Sequence, residues 1–184
     1  MSQNFSPQAR FWLIGYINMK LPNWIYRSER IGKNGKPFSV LKICTMNLGI
    51  KTNFVEEEHY TKYGKFLRKV KADEFLQLIN VVKGEMRLVG PRPDFQEMYD
   101  VMPDYAKKIL LSIKPGCTSL SSIHFFDEEK LLQEAGEDKY KNYYTQIKPA
   151  KILLDTFYIQ NKCLLLDLAI LWMTYKKVIQ SVFK

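Results

Sequence analysis

A chain of 184 residues with 46% apolar and 14% aromatic content can bury one core, and the composition excludes a disordered protein. Its 28 Lys and Arg against 19 Asp and Glu leave a net charge of +9, which attracts phosphorylated substrates, nucleic acid or an acidic membrane leaflet. No stretch of about 18 residues is free of charges or strong polar groups, which excludes an ordinary spanning helix.

The first residues, Met1-Ser-Gln-Asn-Phe-Ser-Pro, carry no basic segment leading into an apolar run and cleavage site, so the chain is expected to stay on the cytoplasmic side. Residues 11–19 form an apolar run that would rise only about 14 Å as a helix, against a hydrocarbon core of about 30 Å. The run either lies in a membrane interface, with Trp12, Tyr16, Trp24 and Tyr26 at headgroup depth, or packs on the domain. Asn34-Gly35 between two extended stretches predicts a β-hairpin that ends in Phe38-Ser-Val-Leu-Lys-Ile. From Asp73 onward Phe75, Leu76, Leu78, Ile79 and Val82 repeat with helical spacing until Gly84, which predicts a short amphipathic helix opening at Asp73 and Glu74.

Gly90-Pro-Arg-Pro reads as a rigid extended turn, because proline fixes its own φ and biases its predecessor away from the helical region. Residues 96–113 read as a helix interrupted near Pro103, followed by a turn at Lys114-Pro-Gly. Residues 127–145 are polar and helical, and Ile152 to Val182 is strongly apolar but punctuated by Asp155, Asn161, Asp167 and Lys176, the pattern of amphipathic helices. Cys44, Cys117 and Cys163 are odd in number and far apart, so reduced structural thiols are expected. His59 and His124 stand alone, the Glu56 to Glu58 run is a solvated segment, and Thr45 and Thr118 sit in turns where hydroxyls usually satisfy backbone groups. A nucleic-acid module would account for the charge, but no zinc-finger, RRM or helix-turn-helix pattern supports it.

An acidic pair at a helix start is ordinarily a cap, stabilised by unpaired N–H groups and the helix dipole. Here the pair has cations for company: Arg68, Lys69 and Lys71 before it and Arg92 in the proline-fixed turn after it. Such a cluster is a natural phosphate site, and a carboxylate within it can attack phosphorus once cations neutralise the phosphate oxygens.

The segment from Tyr63 to Pro93, with Asp73-Glu74 and Arg87-Leu-Val-Gly-Pro-Arg-Pro within it, resembles the signature of the bacterial sugar transferases, the monotopic polyprenyl-phosphate phosphoglycosyl transferases. Arg30-Ile-Gly-Lys-Asn-Gly-Lys-Pro-Phe is similar to their early hairpin, Lys42-Ile-Cys-Thr-Met to their Lys-Phe-Arg-Thr-Met, and Lys114-Pro-Gly-Cys-Thr to their Lys-Pro-Gly-Ile-Thr-Gly. Tyr158 to Leu168 resembles their closing helix, and Asp127-Glu-Glu a stretch in one branch of the family.

The resemblance implies an α+β, mostly helical single domain over residues 26–184, with a small β-hairpin or sheet and amphipathic membrane-facing helices, preceded by a shortened N-terminal apolar segment at 1–25. It implies transfer of a sugar-1-phosphate from a UDP-sugar to polyprenyl (undecaprenyl) phosphate at the cytoplasmic face of the inner membrane. Asp73 would attack the β-phosphorus and release UMP. Glu74, with Asp73, would hold Mg²⁺, while Arg68, Arg92 and Lys42 would bind phosphates.

Three departures stand out: the short apolar start with Ser28 in Tyr26-Arg-Ser-Glu-Arg where the family usually has Gln, Cys44 in place of Arg, and Ser119 in place of Gly. A cysteine replaces neither the charge nor the bidentate donor of a guanidinium, and Ser119 matters only where φ must be positive. The alternative they raise is a divergent member, weakly active or dependent on a second copy or a membrane partner protein, that binds nucleotide sugar or a partner protein without turnover.

Overall fold

The computed structural model describes residues 24–46, 60–134, 136 and 139–183; the apolar run at 11–19, the acidic residues 56–58 and His59 lie outside the described residues. Strands β1 (Ile25–Ile31) and β2 (Pro37–Ile43) form the expected hairpin, antiparallel, with Tyr26 opposite Lys42 and Arg27 opposite Leu41. Asn34 and Gly35 take φ of 59° and 74°, left-handed values that these two residues adopt most readily. The turn is wider than two residues because Gly32 N donates to Lys36 O at 2.8 Å, while Asn34 N donates to Leu111 O at 2.9 Å, which anchors the hairpin tip.

Helix α1 (Lys62–Lys69) starts at Thr61, whose hydroxyl accepts from Gly64 N at 2.9 Å. Lys71 then adopts φ 54°, the backbone tightens into a short 3-10 turn at Ala72–Glu74, and α2 (Gln77–Val82) follows. The helix expected to open at Asp73 therefore begins at Gln77, because the left-handed Lys71 and the tight turn come first. The stop at Gly84 is as expected, with φ 77°. Fully buried Asn80 ties α2 to β2: Leu41 N donates to Oδ1 at 3.2 Å, and Nδ2 donates to Ser39 O at 2.8 Å and Glu85 Oε2 at 2.7 Å.

Two three-residue strands that the sequence pattern did not signal, β3 (Arg87–Val89) and β4 (Gly116–Thr118), pair in parallel. Gly116 is required there, since a Cβ would lie 2.1 Å from Gly90 N. Helices α3 (Gln96–Asp100) and α4 (Asp104–Leu110) are separated around Pro103 as predicted. Short α5 (Leu120–His124) is capped by Ser119, whose hydroxyl accepts from Ser122 N at 3.0 Å. Helices α6 (Glu128–Glu134) and α7 (Lys139–Asn142) lead through a wide turn at Tyr143–Ile147 into α8 (Lys148–Asn161) and α9 (Leu164–Val182). The domain is thus mostly helical α+β, as the sequence implied.

One core cluster joins Ile31 to Tyr99, Met102, Ala106 and Leu110; a second joins Val89, Ile113, Tyr158 and Ile170, with Ile159 packed against both. Tyr158 is fully buried and donates to Asp167 Oδ1 at 2.6 Å and Val89 O at 3.2 Å, which fastens β3, α8 and α9 together. The outer side of α8 and α9 stays apolar and exposed at Leu153, Phe157, Leu165, Leu168, Trp172 and Tyr175. Among the described residues no helix is long and apolar enough to cross a membrane.

Candidate active site

The short turn carrying Asp73 and Glu74 faces Lys42 on β2 and Arg92 in the Gly90-Pro-Arg-Pro segment; Asn80 holds β2 against α2, which follows that turn, and the close approach of Gly116 to Gly90 fixes the start of the proline segment. Both guanidinium nitrogens of Arg92 engage Glu74, Nη1 donating to Oε2 at 3.1 Å and Nη2 to Oε1. Lys42 Nζ lies 3.5 Å from the same Oε1. Burial alone would raise the Glu74 carboxyl, but the charges of Arg92 and Lys42 outweigh it and hold the group far below the usual carboxylate range. Glu74 is therefore a fixed anion that orients two cations.

Asp73 differs from its neighbour in every respect that matters for reactivity. It is 4% exposed, it lies inside the 3-10 turn rather than at its cap, which is Lys71, and its Oδ1 is buried without a hydrogen-bond partner among the described residues. Burial first, and the Glu74 charge second, raise its carboxyl above the ordinary value. A buried oxygen left unpaired costs free energy, and Asp73 is the carboxylate lining the cavity that carries one. The capping explanation finds no support in this geometry.

These residues line one side of a cavity of about 1020 Å³ that also receives Arg68, Lys71 and Lys151, with Phe125, Phe126 and Glu128 beside them. Arg68 lies 4.6 Å over the Tyr60 ring and Lys71 5.0 Å over Phe126. Lys151 pairs with Glu128 at 2.6 Å, which ties the start of α6 to α8 at the cavity wall. Burial pushes Lys42 down to about 8, against the opposing pull of Glu74, and lowers Lys71 as well, with Arg92 adding to the effect.

All five site residues expected from the sequence, Lys42, Arg68, Asp73, Glu74 and Arg92, line this cavity. Sequence reasoning missed Lys151, Glu128, Ser122 and Cys117, which reach it from elements far away in the chain. Cys117 is an unreactive lining group, its thiol pushed by burial up to about 11. Cys44, at the family's arginine position, directs its thiol to Met46 O at 3.7 Å. Ser119 has φ −152°, so its backbone never needed glycine and the side chain serves as a cap instead. The three thiols are free, and His124 stacks edge-on against Phe125.

A magnesium ion is compatible with this donor set only in one manner. Among the described residues no three His, Cys, Asp or Glu side chains converge. Magnesium characteristically uses one or two carboxylates and completes its shell with water and substrate phosphates. Of this carboxylate pair Asp73 Oδ1 is without a hydrogen-bond partner among the described residues, and Glu74 stands next to it with its own oxygens shared by Arg92 and Lys42.

Comparison with known proteins gives a consistent family result. Residues 7–181 match the family model described as bacterial sugar transferase. A Bacillus subtilis protein named uncharacterized sugar transferase EpsL is 33% identical over 174 residues, 91% of this chain and 76% of that protein. The undecaprenyl-phosphate galactose phosphotransferase of Salmonella typhimurium is 31% identical over 179 residues, 85% of this chain but 33% of its own length. The UDP-glucose:undecaprenyl-phosphate glucose-1-phosphate transferase of Klebsiella pneumoniae is 31% identical over 160 residues, 83% of this chain and 32% of that protein. The chain thus spans about a third of the length of these last two relatives.

Proposed function

The chain belongs to the bacterial sugar transferase family, and from that premise we propose that it is a phosphoglycosyl transferase, moving a sugar-1-phosphate from a UDP-sugar to undecaprenyl phosphate. The observation that carries the reading is Asp73: buried, with an oxygen that has no hydrogen-bond partner among the described residues, in a cavity where its neighbour Glu74 holds Arg92 and Lys42 in place.

In this mechanism an Asp73 oxygen attacks the β-phosphorus of the donor. The bond from that phosphorus to the bridging oxygen breaks, UMP leaves with the electron pair, and a phosphosugar remains on Asp73 as an acyl phosphate. An oxygen of the polyprenyl phosphate then attacks the same phosphorus, and the Asp73 carboxylate is regenerated. Dividing one difficult displacement into two is the general logic of covalent catalysis. Arg92, Arg68 and Lys42 bind and orient the phosphates, and their charge offsets the repulsion between an anionic nucleophile and an anionic donor. Asp73 and Glu74 would hold a magnesium ion, which supplies further neutralisation of the phosphate oxygens when bound. The apolar outer side of α8 and α9 rests on the cytoplasmic leaflet, where the acceptor is found, and the net charge of +9 favours an acidic surface.

The test is UMP release from a panel of UDP-sugars with Mg²⁺ and undecaprenyl phosphate in detergent, with Asp73→Asn run alongside. Release that requires the lipid and is lost in the variant is the expected result. Folded wild-type protein that binds UDP-sugar yet releases no UMP would instead support a binding role without turnover.

A further inference from the structure

Helix α9 presents two faces. Leu171, Thr174, Val178 and Ser181 recur at three- and four-residue spacing and line the cavity, as residues on one helical face must. Leu165, Leu168, Trp172 and Tyr175 lie on the other side, each more than half exposed. The cavity-facing hydroxyls are already engaged: Thr174 Oγ1 donates to Ile170 O at 2.8 Å and meets Thr118 Oγ1 at 2.7 Å, and Ser181 Oγ lies 2.8 Å from Lys69 O. What this stripe offers the cavity is therefore mostly carbon. Elsewhere in the same cavity Leu78 and Leu88 are 37% and 45% exposed.

The cavity is thus divided between cations (Lys42, Arg68, Lys71 and Arg92) and partly exposed hydrocarbon, greatest at Leu78 and Leu88, while Leu171 also packs against the second core cluster. A nucleoside or a sugar placed against the hydrocarbon would leave its own donors and acceptors without partners, which is costly. A ligand with an anionic head and an apolar tail satisfies both parts at once. Resting on the transfer reading above, we infer that Leu78, Leu88, Leu171 and Val178 form the subsite for the first isoprene units of the polyprenyl phosphate acceptor. The acceptor phosphate points to the cationic part, and the rest of the tail continues into the bilayer on which the outer face of α9 lies. These side chains, more than the cations, select an isoprenyl phosphate over a free phosphate.

Two measurements on the full chain in lipid vesicles test this. The first is photolabelling with a polyprenyl phosphate carrying a diazirine in its first isoprene unit, mapped by peptide mass spectrometry. Labels are expected at the inner stripe of α9 and around Leu78 and Leu88, displaced by undecaprenyl phosphate but not by phosphatidylglycerol or inorganic phosphate. The second is acceptor kinetics. Leu78→Ser and Val178→Ser should each raise the KM for undecaprenyl phosphate by roughly tenfold, because a hydroxymethyl group covers less of the isoprene tail and must itself be desolvated. The KM for UDP-sugar should stay as in the wild type, and Leu78→Met and Val178→Ile should keep the acceptor KM near the wild-type value. Labels confined to Leu165, Leu168 and Trp172, displacement by phosphatidylglycerol, or an unchanged acceptor KM in an active serine variant would overturn the subsite alone. Wild-type protein that neither transfers nor takes the label would overturn the transfer reading and this inference with it.

Discussion

Two adjacent carboxylates in one turn are given opposite characters by their surroundings. Glu74 is held as an anion by Arg92 and Lys42, whereas Asp73 is raised by burial and by Glu74 itself. Asp73→Asn is expected to lower turnover by about a thousandfold or more, the usual consequence of removing a nucleophile, with circular dichroism unchanged. Lys42 supplies a second residue-level prediction. Its pKa is lowered to about 8, so its charge is lost as pH rises through that value, and kcat/KM for the UDP-sugar should fall on the alkaline side with a midpoint near it. Lys42→Arg should move that limb upward, because guanidinium stays protonated. That Arg68, Asp73, Glu74 and Arg92 gather at one cavity was legible because they stand in a single stretch of charged residues closed by a proline-fixed turn, whereas Lys42, far upstream, was expected only through the family resemblance. Lys151 and Glu128 were not legible, since nothing in the sequence places α8 and the start of α6 at the same cavity as Asp73.

At the scale of elements, the helices from residue 96 to 110 and the hairpin were legible because Pro103 and Asn34-Gly35 act locally. The parallel pair β3 and β4 was not, because three-residue strands carry no periodicity and their pairing depends on the close approach of Gly90 and Gly116. Gly116→Ala would push a Cβ into the Gly90 backbone and is expected to cost about 3 kcal/mol or more, read as a lower urea midpoint together with lost activity. A further prediction concerns the link between α5 and α8. Buried Asp155 accepts from Ser121 Oγ at 2.9 Å, and burial raises its carboxyl from 3.8 to about 7, with Asp94 adding to the rise and Ser121 and Lys151 opposing it. In the native state the proton is held more tightly than in the unfolded chain. The stability it contributes is present below about pH 4 and lost as pH rises through 7. Asp155→Asn should remove this part of the Tm decline between those pH values, and a decline identical to that of the wild type would show that Asp155 does not titrate there.

At the scale of the whole molecule, charge and outer apolar surface act together. Leu168, Trp172 and Tyr175 are 54%, 57% and 56% exposed, and the chain carries +9. Binding to vesicles rich in phosphatidylglycerol is expected to weaken with salt, and Leu168→Asp or Trp172→Asp to weaken it roughly tenfold or more by removing apolar area that the bilayer would cover. Vesicle co-sedimentation measures both. The amphipathic character of the C-terminal third was legible, but which stripe faces the cavity and which faces outward depends on how Tyr158, Asp167 and Thr174 fasten α9. Asp73 carries the phosphosugar between donor and acceptor in this mechanism, and intact-mass spectrometry detects that adduct. Protein incubated with Mg²⁺ and the cognate UDP-sugar, without acceptor, should gain the mass of one phosphosugar, lose it on adding undecaprenyl phosphate, and gain nothing as Asp73→Asn. An unchanged mass under conditions where complete reactions release UMP, or a gain that persists in Asp73→Asn, would contradict the account.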